Sequence, residues 1–445
     1  MSGSRKSAVN NLLSIEFSAL LAQRQDALSG VLSKRGANDR VDALTLLCRE
    51  MLRSSSLCHI AGVLCCYGGT HYVPAPPKDV VAALANVLVD GGVSPLDVRR
   101  MGDMPLSVLA EKSHPGQPLL SFPNGVLDCS DMSFRPHSPR LLSTEYLPYP
   151  YTPGAECPQW ERFLSEVLPD ADVRAVLQEF LGVCYLDRKA LSVEKFGIFL
   201  GEGANGKSVI RDVLTAAMGE GNVASYDAEQ LTRTELQPYL IGKRINFASD
   251  MKVSAAFDSA LKALASGQDV VGRKIYGEPV TVNCPPIIFS MNALPPFRDC
   301  SPAFFRRVLL FEFGVTIPES RRDASLAARI CHSELPGVFA WMMEGRGRML
   351  ASGGRFSPCP AMEKAVDALR RRVGADVRYP AKEWLERSGY SLHPTYEGQP
   401  PCEVSQKEIA DALGAVSPTA ITRELRSYGV QTRRSKELFY KVYKK

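Results

Sequence analysis

Twelve cysteines are spread over 445 residues without one Cys-x-x-Cys pair or an even ladder of spacings. That absence excludes a disulfide framework as the expectation and points to reduced thiols in an intracellular compartment. The cluster Cys58, His59, Cys65, Cys66 and His71 lacks the ligand spacing of a zinc site, so its thiols are expected as small buried hydrophobes. No apolar run approaches the ~18 residues of a membrane span. The start, MSGSRKSAVNN, has no apolar core of a signal peptide. A soluble protein of the cytoplasm of a bacterial host cell is expected, with no membrane partner. Internal repeats and low-complexity tracts are also missing.

There is no strong excess of one charge either. The 53 Lys and Arg face 48 Asp and Glu, which excludes a polycationic condenser of nucleic acid. The excess is local: residues 351–445 hold 17 basic against 11 acidic residues, and the first 350 hold 36 against 37. With 45% hydrophobic residues the chain is globular, and its length suits two to four domains of ~100–200 residues.

Punctuation and periodicity divide the chain. Residues 1–55 read as helical, with Leu12, Leu13, Ile15, Leu20 and Leu21, then Leu44, Leu46, Leu47 and Leu52, at near-helical spacing. Residues 56–155 read as a small α+β domain in which Asn124-Gly125 has the spacing of a turn. Residues 156–195 give two helical patterns divided by Pro169-Asp170-Ala171-Asp172 as stop and cap. In the region 196–350, strand-length apolar runs at Phe196–Leu200, Arg244–Ala248, Ile287–Ser290 and Val308–Phe313 alternate with helical segments, which predicts a parallel α/β sheet. Residues 351–400 read as a linker with a basic helix over Ala361–Val373. Residues 401–445 carry a capping box at Ser405–Glu408, a second helix opened by Ser417-Pro418, and an alternating stretch from Gln431 to Tyr443 that predicts a hairpin. These are the parts of a winged helix, whose second helix would present Arg423 and Arg426 to DNA, with Arg433 and Arg434 on the hairpin.

The most specific motif is Gly201-Glu202-Gly203-Ala204-Asn205-Gly206-Lys207-Ser208, set between an apolar strand and a helical pattern. The chemistry of a phosphate-binding loop needs small residues so that backbone N–H groups face a triphosphate, a helix N-terminus to favour anionic charge, a lysine for the outer phosphates and a hydroxyl for Mg²⁺. Gly201, Gly203, Asn205 and Gly206 would form the cradle, and Lys207 and Ser208 take the last two roles. A motor of this type also needs an acid after a neighbouring strand to hold the metal, and Asp250 follows the run that ends at Ala248-Ser249.

These motifs, in this order, resemble superfamily 3 DNA helicases, particularly the primase-associated, poxvirus-like branch carried by phages, plasmids and large DNA viruses. Asn205–Ser208 is similar to that branch's phosphate loop, and Gly242-Lys243-Arg244 through Asp250 to its second motif. Lys262, Ser266-Gly267 and Arg273-Lys274-Ile275-Tyr276 resemble the motif peculiar to the superfamily. Ser290–Pro295 resembles the third motif, and Arg306-Arg307 stands where the family has its arginine finger. Upstream, Phe122–Asp128, His137-Ser138-Pro139, Leu147-Pro148 and Cys157–Trp160 resemble the domain that precedes the helicase. Gln268 departs from the acid usual after Ser-Gly, and Ser249 precedes a lone Asp250.

The resemblance implies a P-loop core of AAA+ type behind an α+β domain and a helical collar, with the winged helix at the end. It also implies a ring, most simply a hexamer, that hydrolyses ATP with Mg²⁺ and moves 3′ to 5′ on single-stranded and forked DNA during replication of a phage, plasmid or other mobile element. Asn292 would orient water or sense the γ-phosphate, Arg307 or else Arg306 would reach the next subunit's site, and Arg273, Lys274 and Tyr276 would line the channel. A separate primase or polymerase would be the partner, since no primase signature is present. Two other classes keep the same nucleotide residues: a loader ATPase, and an origin-binding initiator without unwinding activity.

Overall fold

The computed structural model describes residues 2–60, 62–109, 111–112, 119–249, 263–273, 279–294, 302–376, 380–394, 399–413, 418–427, 430–434 and 438–444. It forms two compact units, Met1–Pro295 with Arg306–Ala365, and Pro296–Phe305 with Val366–Lys445. Among the described residues no helix is long and apolar enough to cross a membrane.

The first unit begins with helices Ser2–Ala22, Gln25–Leu32 and Ala37–Ser54. Their apolar sides bury Leu13, Phe17, Leu44 and Met51 in one cluster with Val80, Leu84 and Leu88 of helix Pro77–Asp90 and with Met101. Leu64 and Cys66 of a small sheet join the same cluster. That sheet comprises β1 (Cys58–Ile60), β2 (Val63–Tyr67), β3 (Tyr72–Pro74) and β4 (Glu111–Lys112), in the order β3-β2-β1-β4. The first 55 residues are thus packed on the segment that follows them.

A second small sheet has β5 (Leu119–Phe122), β6 (Gly125–Asp128), β7 (Ser133–Arg135) and β8 (Glu145–Tyr146) in the order β7-β6-β5-β8. Its register pairs Phe122 with Gly125, so Pro123-Asn124 form the turn, one residue before the predicted Asn-Gly. Gly125 serves a close approach instead, because a Cβ there would lie 2.6 Å from the Phe134 ring and 2.7 Å from the Arg135 carbonyl.

Helices Pro158–Val167 and Ala171–Val183 follow. The Asp170 carboxylate caps the second, accepting from Asp172 N at 2.8 Å. Buried Glu334 caps the first, accepting from Gln159 N and Trp160 N, each at 3.0 Å. Helix Leu335–Ala351 packs along Ala171–Val183, and Gly182 and Gly345 make the contact: a Cβ on either would overlap the opposite backbone.

The central sheet is fully parallel. Its strands β9 (Phe196–Leu200), β10 (Val223–Ala224), β11 (Ile245–Ser249), β14 (Ile287–Met291) and β15 (Val308–Glu312) run in the order β10-β11-β14-β9-β15. Parallel strands covered on both faces read as unbroken apolar runs, and β9, β11, β14 and β15 are buried along most of their length. Between them β12 (Asp269–Arg273) and β13 (Pro279–Asn283) form an antiparallel hairpin. The second small sheet is tied to this core by Arg244, whose Nε and Nη2 donate to the Glu145 carboxylate, and by Tyr149, whose hydroxyl donates to the Ala217 carbonyl.

The second unit contains helices Pro380–Arg387, Gln406–Leu413 and Pro418–Ser427, with β16 (Tyr390–Ser391), β17 (Cys402–Ser405), β18 (Thr432–Arg434) and β19 (Leu438–Lys444). Strand β19 pairs antiparallel with the other three. Ile409, Ile421, Leu425, Val404, Tyr440 and Val442 form its core. Ser405 accepts from Glu408 N at 3.0 Å, the forward half of the predicted capping box.

Candidate functional site

The order β11-β14-β9 sets three strand ends side by side, and open parallel sheets bind ligands at their carboxyl ends. The loop from Gly201 to Gly206 leaves β9 and runs into helix Lys207–Met218. Gly201 leaves no room for a side chain, since a Cβ would lie 2.7 Å from the Phe313 carbonyl and collide with the Asn205 amide. Gly203, Ala204 and Gly206 have φ of 113°, 49° and 84°, a turn that brings the helix N-terminus round to the strand end. Gly206 is pressed on the collar helix: a Cβ would lie 2.8 Å from the Phe163 ring and 2.9 Å from Val167. Asn205 is buried and its Nδ2 donates to the Phe313 carbonyl at 3.3 Å.

Lys207 is 7% exposed. Its Nζ donates to the Gly201 carbonyl at 2.6 Å, to Asn205 Oδ1 at 2.9 Å and to Asn292 Oδ1 at 3.4 Å. All three are neutral oxygens, and burial holds the ammonium below the usual lysine range. A buried cation with neutral partners at a helix N-terminus is suited to an anion. Ser208 is exposed on the first helical turn, and Asn292 is exposed just after β14. At the end of β11, Ser249 Oγ accepts from Arg211 Nη1 at 3.3 Å. Asp250, the expected metal ligand, lies outside the described residues. Among the described residues no group of three or more His, Cys, Asp or Glu could hold a metal ion, the Cys58 neighbourhood included.

Arg306 and Arg307 sit at the opposite end of the strands, beside the start of β9. They precede β15, and the Arg307 carbonyl accepts from Phe196 N at the start of β9, a full strand length from the loop. The structure therefore does not bring them to Lys207 within one chain. Arg307 is 8% exposed, with Nη2 2.8 Å from Glu194 Oε2 and 3.2 Å from Ser266 Oγ. The Arg306 side chain is 64% exposed, and its Nη2 is 3.5 Å from the same carboxylate.

Arg273 closes β12 with an exposed side chain, and its backbone N donates to the Thr234 carbonyl at 3.0 Å. Lys274 and Tyr276 lie outside the described residues. In the second unit Arg426 is exposed on the last turn of helix Pro418–Ser427. Arg433 is exposed on β18, with Nη2 2.9 Å from Glu403 Oε2 and its guanidinium 5.7 Å from the Phe439 ring centre. Arg423 lies in that helix and Arg434 in β18, but their side chains are outside the described residues.

Sequence reasoning misses Glu194, Arg188 and Lys189. Arg188 is buried, its Nη2 donating to the Leu264 and Ala265 carbonyls at 3.3 and 2.7 Å, and Lys189 Nζ is 2.5 Å from Asp269 Oδ2. Nothing in the local pattern marks them, since each is an ordinary charged residue in a loop. Phe163 and Val167 read as core, and only the fold shows that they support Gly206.

Residues 98–169 match the family described as D5 N terminal like. Residues 199–307, which contain Lys207, Asn292 and Arg307, match a family of unknown function, DUF5906. A protein of Acanthamoeba polyphaga mimivirus, L207/L206, whose name marks it provisionally as a helicase, is 24% identical over 209 residues. The alignment takes in 44% of this chain and 22% of the mimivirus protein, so the chain spans about a fifth of that relative's length. Two solved apo structures of the NrS-1 C-terminal region are similar, one with TM-score 0.48 and 14% identity, covering 89% of this chain and 98% of that one. The other has TM-score 0.46 and 12% identity, covering 90% and 98%.

Proposed function

We propose that this chain is an ATP-dependent DNA helicase that works as a ring, most simply a hexamer, at replication of a phage, plasmid or other mobile element. The observation that carries the reading is Lys207: a buried ammonium with three neutral oxygen partners, at the start of a helix, beside the ends of β9, β11 and β14. This donor set fits a triphosphate, and the D5-like match supports a role in replication.

In this reading the loop is the phosphate cradle of a P-loop, AAA+ type core. Lys207 moves from the Gly201 carbonyl to the outer phosphates, while Asn292 holds the attacking water or the γ-phosphate. Ser208 and Asp250 would hold Mg²⁺, which when bound would supply charge neutralisation at the phosphates. Because Arg306-Arg307 lie at the other end of the strands from the loop, a guanidinium there acts on a neighbouring subunit's nucleotide. The β12–β13 hairpin, with Arg273, Lys274 and Tyr276, grips one strand of DNA, and movement is 3′ to 5′. The second unit is read as a winged helix that offers Arg423, Arg426, Arg433 and Arg434 to duplex phosphates.

The direct test is ATP hydrolysis with Mg²⁺, with and without single-stranded DNA, by the wild type and Lys207→Ala. Hydrolysis stimulated by DNA and abolished by the substitution is expected. An inactive wild type, or an active variant, would sink the proposal.

A further inference from the structure

We infer that Arg306 is the guanidinium that reaches a neighbour's nucleotide and that Arg307 is a positioning residue, which links that strand end to the foot of the β12–β13 hairpin through Ser266. The inference rests on the function proposed above and divides labour between two residues, reversing the sequence preference for Arg307 over Arg306.

Arg307 is committed within its own chain. Its side chain is nearly buried, Nη2 is 2.8 Å from Glu194 Oε2, and Nε and Nη2 lie 3.3 and 3.2 Å from Ser266 Oγ. Withdrawing it to reach another subunit would break a short ion pair and both contacts to the buried Ser266 hydroxyl at once, leaving that hydroxyl without the guanidinium. Arg306 has the opposite setting. Its side chain is mostly in solvent, and releasing it breaks one long surface pair of the kind that contributes little. Its backbone is anchored, since the Arg306 carbonyl accepts from Lys195 Nζ at 2.6 Å.

Ser266 is the other end of the link. It stands at the turn before β12, followed by Gly267 at φ 63°. The same short stretch is gripped from residues 188 and 189, by Arg188 on the Leu264 and Ala265 carbonyls and by Lys189 on Asp269. A pull on Arg306 therefore moves Arg307, and Arg307 carries the movement to a hairpin foot that is held on its other side. Two charges and one hydroxyl connect nucleotide contact to the DNA-gripping element.

The test uses the full chain and the variants Arg306→Ala, Arg307→Lys and Ser266→Ala. The readouts are kcat and KM for ATP, stimulation by single-stranded DNA, and base pairs opened per ATP hydrolysed. Arg306→Ala is expected to lower kcat by about 1000-fold with KM little changed, as loss of an arginine finger does. Ser266→Ala is expected to keep DNA-free kcat and KM but lose about fivefold or more in both DNA stimulation and base pairs per ATP, the scale of a broken coupling. Arg307→Lys should lose DNA stimulation and base pairs per ATP at least as far as Ser266→Ala does, and adding Ser266→Ala to it should lower both little further. The inference is overturned if Arg307→Lys abolishes hydrolysis while Arg306→Ala spares it, or if Ser266→Ala leaves stimulation and coupling intact. A wild type that hydrolyses no ATP would overturn the parent reading as well, an outcome distinct from either.

Discussion

Lys207 Nζ and Asn292 Oδ1 stand 3.4 Å apart across 85 residues of sequence, joining the loop after β9 to the end of β14. The contact places an amide beside a cation that has no carboxylate partner among the described residues. Asn292→Ala is accordingly expected to lower kcat for ATP by about 10- to 100-fold with KM nearly unchanged, because its contribution falls on the transition state. Steady-state hydrolysis measures this, and a rise in KM at constant kcat would contradict it.

Gly206 couples the loop to the collar helix. Gly206→Ala meets both a left-handed backbone, φ 84°, and the Phe163 ring at 2.8 Å. A cost of about 1–3 kcal/mol is expected, read as a lowered melting temperature together with lost nucleotide binding. Gly203→Ala, where φ is 113° and nothing lies within 4 Å, should strain the backbone without the ring collision and destabilise less.

The two halves of this site differ in how far the sequence reveals them. Strands β9, β11, β14 and β15 are legible as apolar runs to within one residue at each end, because both faces of a parallel sheet are covered. The tight turn from Gly201 to Gly206 into helix Lys207–Met218 is legible because glycines at fixed spacing stand between an apolar run and a helical pattern. The Glu194–Arg307–Ser266 link is not, since it joins common residues from distant segments that only the sheet order brings together. The same holds for residues 1–55. Leucine spacing fixes which side of each helix is apolar, yet what covers it, the helix Pro77–Asp90 and strand β2, follows from tertiary packing.

Arg244 and Glu145 form a mostly buried pair, with side chains 16% and 14% exposed, between the small sheet and the central one. Burial alone would lower the guanidinium, but the Glu145 carboxylate together with Tyr185 and Cys129 leaves it raised. Arg244→Met should destabilise by about 3–5 kcal/mol, as removal of one partner of a buried pair does, and the double variant with Glu145→Leu should recover much of that loss. Thermal melting of the single and double variants tests both statements.

Burial pushes the thiols of Cys48, Cys129, Cys157, Cys184 and Cys284 up to about 12 from an ordinary 9.0. A group whose folded value is raised gives stability that is complete below the unfolded value and lost as pH rises through the folded one. Stability should therefore decline as pH rises above 9, most steeply midway between 9 and about 12, and level off beyond. Chemical denaturation along an alkaline series checks this. In native protein near neutrality these five thiols should resist alkylation, while among the described cysteines the half-buried Cys331 and Cys402 react first.

Unwinding of a 3′-tailed and a 5′-tailed DNA fork, with ATP and Mg²⁺, by the wild type and by Lys207→Ala tests the central claim most directly. The account predicts that only the 3′-tailed fork opens and that the substitution abolishes opening. If ATP is hydrolysed and neither fork opens, the helicase claim is contradicted, and a loader or an origin-binding initiator becomes the better account of the same nucleotide site.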